Sequence, residues 1–484
     1  MGIEPVSLTT IAAAVGGRVV GDGTVAVDDV THDSRAAGPG VLFAAVRGFS
    51  VDGHRFVAQA IAAGSPAVCV EDPESAAGAP AIVVADSRAS LGPIASLVHG
   101  DPSRHLRLVG ITGTNGKTTV THLLESIAGA AGLSHGIAGT VGARIGGRAV
   151  PLARTTPEAT DLQRLLADMV AEGVDVAAVE VSSHALALGR VAGAAFRVAA
   201  FTNLSRDHLD FHGDMASYFA AKASLFSQAE LAVVWIDDPA GRRLARSLDI
   251  PVLKVGMGDE ADVTAREVVV GFGGSSFDLR GPGGGMPVLL PLAGRFNVAN
   301  ALVAAACATA LGVGWDSIAA GMAAAPSVPG RFELVDTGRS FTVVVDYAHT
   351  PDGVIAAVGA ARDILGESGR VIVVVGAGGD RDRQKRPMMG RAASDADLAV
   401  LTTDNPRSES PQAILDEVAA GATGPGRVVC EVDRRAAIRI ALAEAHPGDV
   451  VLVLGKGHEL GQDFGSAVLA FDDRVVAREE AAAL

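Results

Sequence analysis

The sequence predicts an α/β protein of three domains, and three observations carry that prediction. Short apolar runs of strand type recur along the chain, most of them apolar at successive positions rather than alternating, as strands covered on both faces require. Helical stretches separate them, the arrangement that yields parallel sheets. The length of 484 residues is about three times the usual single-domain length of roughly 150, so two or three cores are expected rather than one.

In chain order the runs are Leu106 to Ile111, Val176 to Val181, Val198 to Phe201, Ala232 to Ile236, Val343 to Val345, Val371 to Val375, Leu398 to Leu401 and Val450 to Leu454. Between them lie Val263 to Val270, Ser276 to Leu279 and Val288 to Leu290, broken by Gly273-Gly274 and by Gly281-Pro282-Gly283-Gly284-Gly285, the punctuation of an inserted antiparallel meander. Asp86 to Asp101 leads into the strand at Leu106, and Pro326 to Gly330 interrupts an Ala-rich helical stretch. These breaks place domains at 1–88, 89–331 and 332–484. No internal repeat is evident, and the Ala-rich tracts read as helix-favouring bias.

Charged residues at 20% and hydrophobic ones at 49% exclude disordered, collagen-like and coiled-coil classes. Forty Lys and Arg against 55 Asp and Glu leave a net charge of −15, the wrong sign for a surface that holds nucleic acid or an anionic membrane. Any anionic ligand must be held by local groups. Cys69, Cys307 and Cys430 are far apart, without CxxC spacing, which supports neither a disulfide framework nor a thiolate zinc site and fits a reducing cytoplasm. The segment Met1 to Thr10 has no basic cluster before an apolar run, and no stretch reaches the ~18 to 20 apolar residues of a membrane span.

Gly110-Ile111-Thr112-Gly113-Thr114-Asn115-Gly116-Lys117-Thr118-Thr119 follows a strand and opens a helix running to about Ala131. Backbone N–H groups and the helix N-terminus can surround phosphate oxygens there, Lys117 can reach the terminal phosphates, and Thr118 can ligate Mg²⁺. Ile111 stands where the usual GxxxxGK[ST] pattern has glycine, so this is a variant loop; the bland alternative is a glycine turn with a solvated lysine. Glu180, in Val179-Glu180-Val181-Ser182-Ser183-His184, and His208, in Thr202-Asn203-Leu204-Ser205-Arg206-Asp207-His208-Leu209-Asp210, each close another strand. Ligands of open α/β sheets sit at the carboxyl ends of strands, so both can meet a cation beside the loop. Taken singly, Glu180 is equally an ion-pair partner, His208 with His212 a helix-surface pair or zinc site, and Lys222 a surface lysine.

The segment Gly113 to Thr119 resembles the nucleotide loop of the Mur ligases and folylpolyglutamate synthetases, ATP-dependent amide-forming enzymes that activate a carboxylate as an acyl phosphate. The resemblance implies an ATP site made of Gly113, Thr114, Asn115, Gly116, Lys117, Thr118 and Thr119. It implies Thr118, Glu180 and His208 as Mg²⁺ ligands, and Lys222 as a carbamylated lysine (N6-carboxylysine) that helps to hold a second Mg²⁺. Leu292 to Asn300 resembles the adenine-side segment, which puts Asn297 and Asn300 near the base. Val328 to Glu333 and Val345 to Pro351 resemble the joint between central and C-terminal domains, which sets Arg331, Asp346 and His349 against ATP from across the cleft; Tyr347 reads as core packing. The implied architecture is a central P-loop ATPase-like parallel sheet with an antiparallel insertion, a Rossmann-like C-terminal domain and a small α/β N-terminal domain.

The substrate follows from three further resemblances. More than a hundred residues precede Lys117, whereas folylpolyglutamate synthetases resemble this chain only from near the phosphate loop onward. Thr31-His32-Asp33-Ser34-Arg35, Gly40 to Ala44 and Asp52-Gly53-His54 resemble the uridine-binding domain of the branch that adds the third residue of the peptidoglycan stem peptide, implying Ser34 as a uridine contact. Thr155-Thr156-Pro157, with Ser182 and Arg190, resembles its contact to amino sugar and peptide. Leu188 stands where many relatives have glutamine.

Thr403-Asp404-Asn405-Pro406-Arg407 resembles the diaminopimelate-specific version, since the lysine-adding version typically lacks the arginine. A guanidinium clamps a carboxylate through two parallel hydrogen bonds, and a lysine substrate has no distal carboxylate to offer. Alone, this segment could be an Asx turn before proline. Gly378-Gly379-Asp380-Arg381 and Gly455-Lys456-Gly457-His458-Glu459 complete the set, implying Arg381 on the amino acid's carboxylate and Gly455 and Glu459 on its distal ammonium, with Asp404 and Asn405 beside them.

The expectation is a cytoplasmic ligase that joins 2,6-diaminopimelate to the D-glutamyl residue of UDP-N-acetylmuramoyl-L-Ala-D-Glu with ATP and Mg²⁺, without nucleic-acid or membrane partners. The alternatives are a lysine-adding or folylpolyglutamate-type ligase, and a P-loop regulatory module in which Glu180, His208 and Lys222 are incidental.

Overall fold

The computed structural model of the chain describes residues 4–48, 51–366 and 368–484. Three main sheets organise it. The run at Leu106 forms the strand Arg107–Thr112, which lies between Val176–Glu180 and Phe196–Phe201, all parallel. Ala229–Trp235 and Val252–Val255 extend this sheet on one side and His135–Gly139 on the other, again in parallel. The apolar positions are continuous because both faces are covered. Val109 and Ile111 enter a core with the helices Lys117–Ala130, Arg295–Ala310 and Trp315–Ala323, whereas Leu108 and Phe201 enter another under the helix Ala159–Ala171. Removing a fully buried side chain such as Ile111 from either face would cost about 2–5 kcal/mol.

The glycine-broken segment forms the expected meander, Thr264–Gly271, Gly274–Gly281 and Gly284–Leu290, its hairpins closing at Gly271 with Gly274 and at Gly281 with Gly284. Sequence patterning did not anticipate the antiparallel strands Gly142–Ile145 and Arg148–Val150 that finish the central sheet at the edge beyond His135–Gly139.

The N-terminal sheet carries Asp29–Thr31, Val41–Ala44, Ala67–Val70 and Ala81–Val83 in parallel, with Arg18–Val20 antiparallel at its far edge. The cut expected near 88 falls inside the helix Ser87–Val98, whose Leu91, Ile94, Ala95 and Val98 pack with Leu8, Ile11 and Leu42 in the N-terminal core. Asp86 is the N-cap of this helix, accepting the Ala89 N–H, so a polar residue that reads as a linker is a helix start. The domain docks on the helix Ala159–Ala171: Arg164 pairs with Asp29 at 2.8 Å and donates to the Val30 carbonyl, and His32 Nδ1 lies 2.9 Å from Thr160 Oγ1.

In the C-terminal domain Thr342–Asp346, Val450–Leu454, Val371–Ala377, Leu398–Thr403 and Arg427–Cys430 run parallel in that spatial order, with Glu333–Val335 antiparallel at the edge. The cut near 331 lies between the helix Trp315–Ala323 and this edge strand. At the joint the Tyr347 N–H donates to the Gly330 carbonyl, and the Asp346 carboxylate accepts the N–H groups of Phe332 and Ala348 at 2.7 and 2.9 Å. A Cβ on Gly330 would stand 2.1 Å from the His458 nitrogen, and one on Gly457 2.7 Å from the Gly330 carbonyl oxygen. Both glycines have positive φ, so close approach and backbone conformation alike demand the bare residue. Among the described residues no helix is long and apolar enough to cross a membrane.

Candidate active site

The phosphate loop leaves the middle of the central sheet, so strands on both sides deliver side chains to it. Glu180, the last residue of one neighbour, is buried and accepts from Thr118 Oγ1 at 3.0 Å, from the Thr140 N–H at 2.8 Å and from Thr140 Oγ1 at 2.9 Å. No cation among the described residues lies within ion-pair distance of it, so the ion-pair alternative is set aside. Lys117 Nζ folds back on the carbonyls of Gly113 and Thr114 at 2.9 and 2.8 Å, and burial lowers its pKa. Thr114 Oγ1 lies 3.1 Å from the Tyr218 hydroxyl.

Lys222 is not a surface lysine: it is 1% exposed, lies over the Tyr218 ring and donates to the Gly113 carbonyl at 2.7 Å. Burial, with Lys117 nearby, drives its pKa well below the ordinary lysine value. His208 sits at φ 54, its Nε2 3.3 Å from Asp207 Oδ2, and burial pushes it down to about 3, which keeps the imidazole neutral and able to ligate. His212 turns away to Ser183 Oγ at 3.0 Å, and the rings of both histidines meet the His184 ring edge-on. Among the described residues no three His, Cys, Asp or Glu side chains are grouped to hold a metal. Thr118 and Glu180 offer oxygen donors that fit Mg²⁺, with a neutral His208 nearby and water and phosphate to fill the remaining positions, whereas the Lys222 amine offers oxygen only once it carries a carboxyl group.

Two cavities flank this centre. The larger, about 710 Å³, is lined by Asn115, Gly116, Thr119, Phe296, Asn300, Arg331, Asp346 and Tyr347 among others. Arg331 reaches across from the joint to donate to Thr118 Oγ1 at 3.1 Å. Asn297 does not face this cavity; it is buried, donating to the Ala293 carbonyl and accepting from Asn300 Nδ2, so it braces Asn300 from behind. Asp346 is half-buried among the backbone N–H groups of the joint, and desolvation raises its pKa.

The smaller cavity, about 160 Å³, brings together all six residues read as amino-acid contacts, Arg381, Asp404, Asn405, Arg407, Gly455 and Glu459. They meet because Val450–Leu454, Val371–Ala377 and Leu398–Thr403 are adjacent strands ending on one rim. Buried Arg434 pairs with Asp473 at 2.6 Å and donates to the carbonyls of Thr403 and Leu454, holding two of the three ends from beneath. Buried Lys456 donates to Asn405 Oδ1 at 2.8 Å and Glu459 Oε2 at 2.9 Å.

His349 lines this smaller cavity rather than the larger one, because its Nδ1 is tied to the Tyr347 carbonyl and its Nε2 faces Asp207 Oδ2 at 3.5 Å. Tyr347 is not core packing. It is half-buried, lines both cavities, and lies under the Arg331 guanidinium.

Sequence reasoning missed Asp207, a central-domain carboxylate that meets His349 and Lys385 of the C-terminal domain. Burial opposes its ionisation, but the hydrogen bond and charge of His349, with His208 and Lys385, hold the carboxyl far below its usual range. Arg206 beside it pairs with Asp382 at 3.1 Å. The signal was present: both residues stand inside the quoted segment Thr202 to Asp210, beside His208.

The residues read as sugar and peptide contacts sit on the other side of Glu180. Thr156 is fully buried, its Oγ1 donating to the Glu180 carbonyl at 2.8 Å and accepting the Ser182 N–H at 3.1 Å. Ser182 caps the short helix Ser183–Ala187, Thr155 Oγ1 lies 3.2 Å from Thr140 Oγ1, and Arg190 pairs with Glu158 at 2.9 Å. Ser34 stands apart from these, just past the N-terminal strand Asp29–Thr31, its Oγ 3.5 Å from Gln59 Oε1.

A nucleotide loop in the middle of a parallel sheet, with a charged pocket across a domain joint, defines an ATP-dependent ligase. The chain belongs to the Mur ligase family, whose members form amide bonds with ATP: residues 26–99 match the Mur ligase family catalytic domain, 111–308 the Mur ligase middle domain and 330–457 the Mur ligase glutamate ligase domain. It is 47% identical over 457 residues to a UDP-N-acetylmuramoyl-L-alanyl-D-glutamate–2,6-diaminopimelate ligase of Geobacillus thermodenitrificans, covering 92% of this chain and 93% of that one. It is 48% identical over 487 residues to the Streptomyces coelicolor protein of the same name, covering 95% and 93%. A solved structure of a ligase of that name superposes with a TM-score of 0.71 at 31% identity, covering 99% of both chains.

Proposed function

We propose that this chain is the ligase that adds 2,6-diaminopimelate to the D-glutamyl residue of UDP-N-acetylmuramoyl-L-Ala-D-Glu. The observation that carries the reading is the smaller cavity, which is lined by Arg381 and Arg407 together with Glu459 and Asp404, a charge pattern suited to a molecule with carboxylate and ammonium at both ends. The UDP end is assigned to the N-terminal domain at Ser34, and the sugar and peptide to Thr155, Thr156, Ser182 and Arg190. ATP is assigned to the larger cavity.

In this reading Lys117 leaves the loop carbonyls to meet the terminal phosphates, and Arg331 approaches the transferred group from the joint. The D-glutamyl γ-carboxylate attacks the γ-phosphorus, giving an acyl phosphate and ADP. The diaminopimelate amine then attacks the acyl carbon, and the tetrahedral intermediate expels phosphate. Thr118, Glu180, His208 and a carbamylated Lys222 would hold Mg²⁺, which when bound neutralises phosphate and carboxylate so that like charges can meet. The buried, proton-poor amine of Lys222 is the form that takes up carbon dioxide. Free Cys69, Cys307 and Cys430 support work in a reducing cytoplasm. The test is phosphate release with ATP and the UDP-sugar dipeptide, offering diaminopimelate or lysine. Turnover with diaminopimelate and little with lysine is expected; equal turnover would overturn the role of Arg407, and none with either would overturn the ligase reading.

A further inference from the structure

The hairpin Gly461–Asp463 with Val468–Ala470 lies beyond the residues matched by the family's glutamate ligase domain, which end at 457. It adds little to the core: Val468 is 70% and Leu469 55% exposed. Its first strand is instead joined to the Asp404–Arg407 segment through Gln462 and Asp463. The buried Gln462 donates from Nε2 to the Asp404 carbonyl at 2.8 Å, the Asp463 N–H donates to Asn405 Oδ1 at 3.0 Å, and the Asp463 carbonyl accepts the Arg407 N–H at 2.9 Å. Arg407 has φ 52, a left-handed conformation that a long side chain keeps only when its surroundings over-determine it. Its guanidinium is held on two sides, with Nη1 donating to the Gly379 carbonyl at 2.6 Å and Nε facing Asp463 Oδ2 at 3.7 Å, while Nη2 has no partner among the described residues.

We propose that this hairpin is a selectivity element: Gln462 and Asp463 are positioning residues that hold Arg407 in its strained conformation with one guanidinium edge free for the distal carboxylate of the amino-acid substrate. The inference rests on the diaminopimelate reading of the smaller cavity. Substrates without a distal carboxylate do not use that edge, so the hairpin acts on discrimination and leaves the phosphoryl chemistry alone.

The test compares Gln462→Met, which keeps the buried volume but loses the donor, Asp463→Asn, which keeps the turn acceptor for the Gly465 N–H but loses the charge, and the two combined. Phosphate release is measured with diaminopimelate and with lysine at saturating ATP and UDP-sugar dipeptide. The combined variant is expected to raise KM for diaminopimelate at least tenfold, with kcat within twofold, KM for ATP unchanged and kcat/KM for lysine unchanged. Added to Arg407→Ala, it should cause no further loss. Equal losses with both amino acids would mark a structural role and overturn the proposal, as would an unchanged KM in the combined variant when Arg407→Ala alone raises it. If Arg407→Ala leaves KM for diaminopimelate unchanged, the reading of the cavity itself is overturned and the hairpin inference goes with it.

Discussion

The two cavities on either side of Tyr347 solve different recognition problems. The larger is assembled from two domains and lined mostly by small, apolar and amide groups, with Arg331 and Asp346 among a few charged ones, beside a glycine loop whose backbone N–H groups can serve a triphosphate. The smaller is about 160 Å³, carries Arg381, Arg407 and Lys385 against Asp207, Asp404 and Glu459, and takes most of its lining from neighbouring strand ends of one domain. A ligand shared by many enzymes is met by backbone geometry, while a ligand that must be told from its near relatives is met by fixed charges supported from beneath. Chemistry and selectivity are therefore separable in this molecule by mutation.

The largest separation is expected at Lys117. Lys117→Ala should lower kcat by ~10³-fold, because a preorganised charge at the transferred phosphate is removed, and by the same factor whichever amino acid is offered. Next comes Arg407→Ala, which removes one partner of a charge-assisted pair at a cost of about 2–5 kcal/mol, appearing as a fall in kcat/KM for diaminopimelate with KM for ATP unchanged. A matching change in KM for ATP would break the division between the cavities. Smaller still is Arg206→Ala, which cuts the partly exposed tie from the central domain to Asp382; a loss of ~1 kcal/mol, or about fivefold, shared between ATP and the amino acid, is expected from steady-state kinetics.

On the rate comparison itself pH has the smallest effect expected, because it acts on the stability of the whole chain. Burial, with Arg144 beside it, pushes His122 behind the phosphate loop down to about 4, and burial, with Arg331 and Arg474, pushes His458 beside the amino-acid pocket down to about 4. Unfolded, both take up protons near ~6.5, so the stability each contributes is complete above that pH and is lost as the pH falls toward 4. Denaturant unfolding between pH 6.5 and 4.5 should show a slope of up to ~1.4 kcal/mol per pH unit for each group, reduced in His122→Gln.

What was legible in the sequence divides along physical lines. Strands buried on both faces announce themselves, and all eight runs from Leu106 to Leu454 became strands of parallel sheets. Edge strands did not: Arg148–Val150 has three residues, two of them exposed, and carries no apolar pattern to read. Loop chemistry at strand ends was legible as segments, and the adjacency of three strands turned three segments into one pocket. The direction of a side chain within its segment was not legible. Asn297 and Asn300 share one helix face, yet only Asn300 lines the cavity, and His349 is turned by a bond from its own ring to the Tyr347 carbonyl. Asp86 misled because a helix cap and a linker use the same residue type. Lys222 and Asp207 show the remaining gap, since burial of a charged group is decided by what packs around it, here Tyr218 on one side and a second domain on the other.

The paired glycines at the joint set a gauge. Gly330 and Gly457 touch backbone to backbone, so the chain entering the C-terminal domain bears directly on the loop that carries Glu459. A methyl group at either position would act as a shim about one carbon thick, prising the rim of one cavity away from the other. Catalysis between groups on separate domains is sensitive on that same scale, where ~1 Å of misplacement costs ~10²-fold in rate. The distance between an acyl carbon and an incoming amine is thus set, in part, by two side chains that are not there.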